Sequence, residues 1–369
     1  MQTLPSPRIR VLLAGMVAIA SGLLGGCAGA GYYWQSVSGH MRMMNAARPV
    51  QDWLGDAQTP EALRQKLELS QRIRSYAVTG LKLPDNASYH RYADLHRNAV
   101  VWNVMATPEF SLTLKTFCFP VAGCVGYRGY FDETDARIEA GKLKNEGLDV
   151  GVYGVPAYST LGWMNWAGGD PLLNTFINYP EGELARIIFH ELAHQVAYAS
   201  GDTLFNESFA TTVERLGSQR WLQTQAGEPA RQAYAALERR RQEFRALALT
   251  TRRELAAIYK NKEPESANPS AEAAIKLIAK EKSIQRFRER YVELKVSWGG
   301  FSGYDAWVAN ANNASFAAQA AYDELVPDFE ALFELEGRDW QRFYDQVKRL
   351  AKLPRDQRHQ ALTSRKTSP

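Results

Sequence analysis

The chain has 369 residues, of which 45% are hydrophobic and 23% charged, and its formal net charge is only +4. So ordinary a balance lets the chain bury a sizeable core and excludes disordered, collagen-like and low-complexity classes. Charge this small and mixed leaves no basic field for binding nucleic acid.

Taken in chain order, the first feature is an export signal. Arg8 and Arg10 make a positive start, and Val11 to Leu24 run almost without polar residues. That stretch is short for a membrane-spanning helix and suits the apolar region of a signal peptide. It ends Leu24-Gly25-Gly26-Cys27, which resembles a bacterial lipobox. The resemblance implies removal of residues 1–26, a lipid on Cys27 and a protein tethered to a membrane surface. A plain secretory signal with an incidental Cys is the alternative. Ala28 in place of Asp points to the outer membrane of a bacterial cell, facing the periplasm.

From Tyr32 to Thr79 apolar residues recur at helical spacing, while Ala99 to Ala106 and Phe110 to Phe117 read as a pair of strands. Between them and the next helix lie Cys118 and Cys124, an even pair around a turn. In an exported chain they read as a local disulfide; reduced core thiols or half a metal site are the competing readings. A polar helix is expected over Glu133 to Lys144, capped by Asp132 or Thr134 and ended by Gly147. Asp149 to Tyr158 alternates like a strand, and Pro156 makes it an edge strand. Beyond Glu181 the pattern is almost wholly helical, with a charged stretch from Asn261 to Ser270. The expectation is an α+β fold, strands early and helices late, with residues 27–369 as a single domain.

The segment Ile187-Ile188-Phe189-His190-Glu191-Leu192-Ala193-His194 carries the chemistry. His190 and His194 stand one helical turn apart on one face, where both imidazoles can meet one metal ion, and Glu191 lies beside them as a general base. Apolar residues surround them, so the helix is buried and its polar groups need partners. A catalytic zinc takes a third protein ligand and keeps one open position. Glu207, in Asn206-Glu207-Ser208-Phe209-Ala210 on a second helix packed antiparallel, supplies it.

HExxH followed by Asn206-Glu207 resembles the gluzincin metallopeptidases, and Asn206 to Ala210 with Glu214 resembles their aminopeptidase N group. The Cys118–Tyr130 segment, the Ser159 to Trp163 run and Phe205 to Glu214 extend the likeness to a family of bacterial lipoprotein aminopeptidases. These resemblances imply a zincin-like fold, predominantly helical, with an edge strand beside the HExxH helix. They also imply one Zn2+ per chain and a peptide or protein substrate. Substrate backbone is expected along Gly151 to Tyr158. Tyr322 is preferred over Tyr304 as the donor to the oxyanion, a core tyrosine being the alternative, and Tyr198 is read as packing. Glu214 is placed either on the substrate's ammonium group or against a ligating imidazole. The chain departs from the better-known members: only twelve residues separate His194 from Glu207, and the Gly-x-Met-Glu-Asn amine-binding signature is missing. Two other functions stay open, an endopeptidase with the same site and a non-catalytic lipoprotein with a structural zinc.

Overall fold

The computed structural model describes residues 31–119, 123–162, 165–260, 269–321 and 324–364. Cys27, Trp163, Tyr322 and most of the charged 261–270 stretch therefore lie outside the described residues. The fold is α+β and mostly helical, with 63% helix and 10% strand. No helix among the described residues is long and apolar enough to cross a membrane.

The described residues begin with helix α1 (residues 31–46), followed by β1 (Arg48–Pro49), α2 (Val50–Gly55), α3 (Glu61–Thr79) and β2 (Arg91–Ala93). The sheet-forming part contains β3 (Val101–Pro108), β4 (Phe117–Phe119), β5 (Gly123–Val125), β6 (Arg128–Tyr130), α4 (Glu133–Asn145), β7 (Leu148–Val155) and β8 (Leu172–Leu173). Helices then take over. They are α5 (Glu181–His194), α6 (Thr203–Thr224), α7 (Glu228–Lys260), α8 (Pro269–Ser297), α9 (Asp305–Ala309), α10 (Asn313–Ala321), α11 (Val326–Leu335), α12 (Trp340–Ala351) and α13 (Arg355–Thr363).

Among the described residues three small sheets form, ordered β1-β2-β8, β6-β3-β7 and β4-β5. In the second, β3 is the central strand, antiparallel to both neighbours, with Trp102 opposite Tyr130 on one side and Gly154 on the other. Seven of its eight residues are buried because α4 and α10 both pack on this sheet. The expected pairing of β3 with 110–117 does not form. Lys115 N donates to Ala106 O at 2.7 Å, but the places beside β3 belong to β6 and β7, and Phe117 begins β4 instead. α4 starts where its cap predicts: Asp132 Oδ1 accepts from Thr134 N at 2.8 Å, and Gly147 closes the helix at φ +79°.

β7 is a sheet edge, as its proline predicts, and the strand stops at Val155, one residue before Pro156. Cys118 and Cys124 form a disulfide across the β4-β5 hairpin. Gly123 begins β5 with φ +74°, against the Ser200-Gly201 turn; a Cβ there would meet Ser200 Oγ at 2.6 Å. The bridged hairpin thus props the connection between α5 and α6.

Candidate active site

α5 begins after Pro180 with Glu181 and Glu183 in its first turn, acids that suit a helix N-terminus. Leu184, Ala185, Ile188, Phe189, Leu192 and Ala193 are wholly buried, which fixes the helix's rotation and sends His190 and His194 to the remaining side. α5 packs against α6 more extensively than any other pair of described elements. The intervening turn is pinned by Asn206, whose side chain accepts from Ala199 N at 2.8 Å and donates to Ala199 O at 2.9 Å. Asp202 caps α6 by accepting from Phe205 N at 3.2 Å. Glu207 follows immediately, one turn inside the helix.

This construction brings His190, His194 and Glu207 together, with one ligand atom from each lying within 4.8 Å of the others. Two donors each about 2.0–2.1 Å from a tetrahedral ion stand about 3.3–3.4 Å apart. The two imidazole Nε2 atoms are 3.2 Å apart, and Glu207 Oε2 lies 3.4 Å from that of His190 and 3.7 Å from that of His194. Two ring nitrogens turned toward each other and toward a carboxylate in a buried site are what a cation reconciles. The donor set therefore fits a divalent metal ion.

Glu214, two turns beyond Glu207, has both oxygens engaged. Oε2 lies 3.0 Å from His190 Nδ1, and Oε1 accepts from Arg186. Its place is behind the His190 imidazole, on the ring nitrogen turned away from His194 and Glu207. A free carboxylate awaiting an ammonium group is not what the geometry gives. Arg186 carries the sequence signal that points to this pair: it is the one Arg or Lys on α5, one turn before His190 in a largely apolar stretch, and a cation there requires a buried acid.

Burial pulls both imidazoles down in pKa, but hydrogen bonds to Glu207 and Glu214 overturn this for His190 and hold it well above its ordinary value. His194, without that support, falls to about 4. Burial also raises Glu207, yet the two imidazoles more than offset it and the carboxyl ends below its usual range. Glu191 is pushed up to about 7 by burial, against the pull of His190 and with the help of Glu207. A carboxyl poised near neutrality is suited to proton transfer.

These groups open on a cleft of about 650 Å³ between the β6-β3-β7 sheet and the α5-α6 pair. The end of β7 and its continuation to Ser159 run along one wall. Tyr127 and Tyr198 line it as well, their hydroxyls raised by burial first and by Glu207 next. Tyr198 thus stands at the cleft, although its spacing from His194 reads as packing. Tyr304 does not line the cleft; it stacks on Phe244, 4.0 Å between ring centroids. Behind α5, Gln195 accepts from Asn86 Nδ2 at 2.7 Å and donates to Ser88 Oγ at 3.2 Å, steadying the helix end that carries His194.

A family model described as "Putative aminopeptidase" matches residues 31–362. No curated protein and no solved structure matches the chain. The family match covers nearly all of the described fold and includes all three candidate metal donors, so the chain belongs to the putative aminopeptidase family.

Proposed function

We propose that this protein is a membrane-anchored zinc metallopeptidase, acting as an aminopeptidase, with His190, His194 and Glu207 as its metal ligands. The observation that carries the reading is the convergence of those three donors beside a buried glutamate at the floor of a cleft. Two imidazoles and one carboxylate are a donor set suited to zinc. Bound there, the ion supplies Lewis acidity, polarising a carbonyl and acidifying water.

The protein's own groups do the rest. Glu191 accepts the proton of the attacking water as the new C–O bond forms, then delivers it to the amine as the peptide C–N bond breaks. Glu214 keeps His190 in the tautomer that leaves Nε2 free, and Arg186 holds Glu214 charged. Tyr127 and Tyr198 are the hydroxyls at hand for the developing oxyanion. Past Val150, whose carbonyl accepts from Asn312 Nδ2 at 2.9 Å, β7 offers its open edge to an extended peptide.

An endopeptidase is the second reading, and one observation favours it. The acids lining the cleft among the described residues are Glu191, Glu207 and Glu214, and the proposed base, ligand and His190-orienting roles use all three, which leaves none for a substrate's ammonium group. Residues 1–26 as a signal peptide, lipid on Cys27 and residence at the outer membrane facing the periplasm complete the proposal, supported by the N-terminal sequence.

Replacing Glu191 by Gln tests the mechanism: peptide hydrolysis should fall by about 10²–10⁴-fold with zinc retained. Activity equal to the unaltered protein would refute it. Matched peptides with free and acetylated amino ends separate the two readings, since only the aminopeptidase spares the blocked ones.

A further inference from the structure

Helix α1 has two unlike sides. One is docked: Tyr32 stacks on Phe119 and meets Tyr130 edge-on, with the Arg128 guanidinium 4.1 Å from its ring centre. Gln35 accepts from Phe131 N at 3.0 Å and donates to Gly129 O at 3.3 Å. Tyr32 and Ser36 on this side line the cleft.

The other side is apolar and uncovered. Tyr33 is 46% exposed, Trp34 74%, Val37 58% and Met41 50%. At 100° per residue these four fall within an arc of about 100°. Single exposed hydrophobic residues are ordinary; four on one arc of a firmly docked helix form a contact surface.

We propose that this strip is a bilayer-contact surface, lying in the headgroup region of a phospholipid membrane and holding the cleft beside it. The chain just before α1 selects the occupant. The apolar run Val11 to Leu24, preceded by Arg8 and Arg10, is membrane-directed, and Cys27 lies four residues before Gly31. Four residues span at most about 14 Å, so an anchor at Cys27 keeps the first turn of α1 at the membrane surface. Tyr33 and Trp34, the residues nearest that point, are the types whose rings favour the interface. Arg42, exposed beyond the strip, can meet anionic headgroups. The inference rests on the membrane-anchored reading above for its partner. It adds an orientation: the cleft, sharing α1 with the strip, opens close to the bilayer.

The test uses the full chain purified from membranes and reconstituted in phosphatidylethanolamine and phosphatidylglycerol vesicles. Brominated phospholipid quenches tryptophan on contact, so the unaltered protein is compared with Trp34→Phe. The expected result is lipid-dependent quenching that falls by more than half in the variant, while hydrolysis of a free peptide in detergent is unchanged. Equal quenching in both proteins overturns the proposal. So does a strip covered by a second copy or by residues 11–24, because Trp34 is then shielded from the lipid. The mass of the N-terminal peptide reports the anchor separately. If Cys27 carries lipid and Trp34 is not quenched, the strip proposal alone fails. If Cys27 carries none, the same chain is titrated with the vesicles: binding weakened by Trp34→Phe supports the strip without the anchor, and no binding overturns it.

Discussion

Glu214 decides more about the site than its distance in sequence from the HExxH segment implies. Its carboxylate is shared between Arg186 and His190 Nδ1, so Glu214→Gln removes the charge that both groups face. Metal affinity should then fall by about 10–100-fold, measured by competition with a chromogenic chelator. An unchanged affinity would mean that Glu214 does not orient the ligand. Asp170 shows the opposite electrostatics. Burial, opposed by hydrogen bonds from Thr160, pushes its carboxyl up to about 6. The native state therefore holds that proton more tightly than the unfolded chain, and stability falls as pH rises from about 4 to about 6. Asp170→Asn should flatten that part of the pH profile of the melting temperature.

Among the elements, the turn between α5 and α6 is the one whose position matters most, because it sets Glu207 against the two imidazoles. It is held from three directions: by Asn206 from within, by the disulfide hairpin at Gly123, and by α13. Asp202 is the anchor for the last, accepting from the buried Arg358 and lying 2.8 Å from His359 Nε2. Arg358 also donates to Leu353 O at 2.8 Å and Ala351 O at 3.2 Å, closing the end of α12. Arg358→Leu leaves a buried carboxylate with His359 as its remaining side-chain partner, and should cost about 3–5 kcal/mol in urea unfolding. Asp202→Asn combined with Arg358→Leu should recover part of that loss, which a double-mutant cycle reads directly.

Across the whole molecule, what local pattern encodes is legible in the sequence and what distant packing encodes is not. His190 and His194 share a helical face by spacing alone, and Asn206-Glu207 stands at the start of the next helix. Asp132 announces α4, and Pro156 marks β7 as an edge. By contrast, the run from Phe110 to Phe117 alternates like a strand, yet β6 and β7 take the places beside β3. Tyr127 reaches the cleft by way of the loop between β5 and β6, and Arg358 meets Asp202 from 156 residues away. No periodicity reports such contacts, because they depend on how whole layers stack.

The account stands on Glu207 sharing one ion with His190 and His194. Zinc content by atomic emission, measured on unaltered protein and on Glu207→Ala after dialysis against a weak chelator, tests it most directly, with circular dichroism to check that both are folded. One zinc per unaltered chain and little or none in the folded variant is the expected result; equal zinc in both would contradict it.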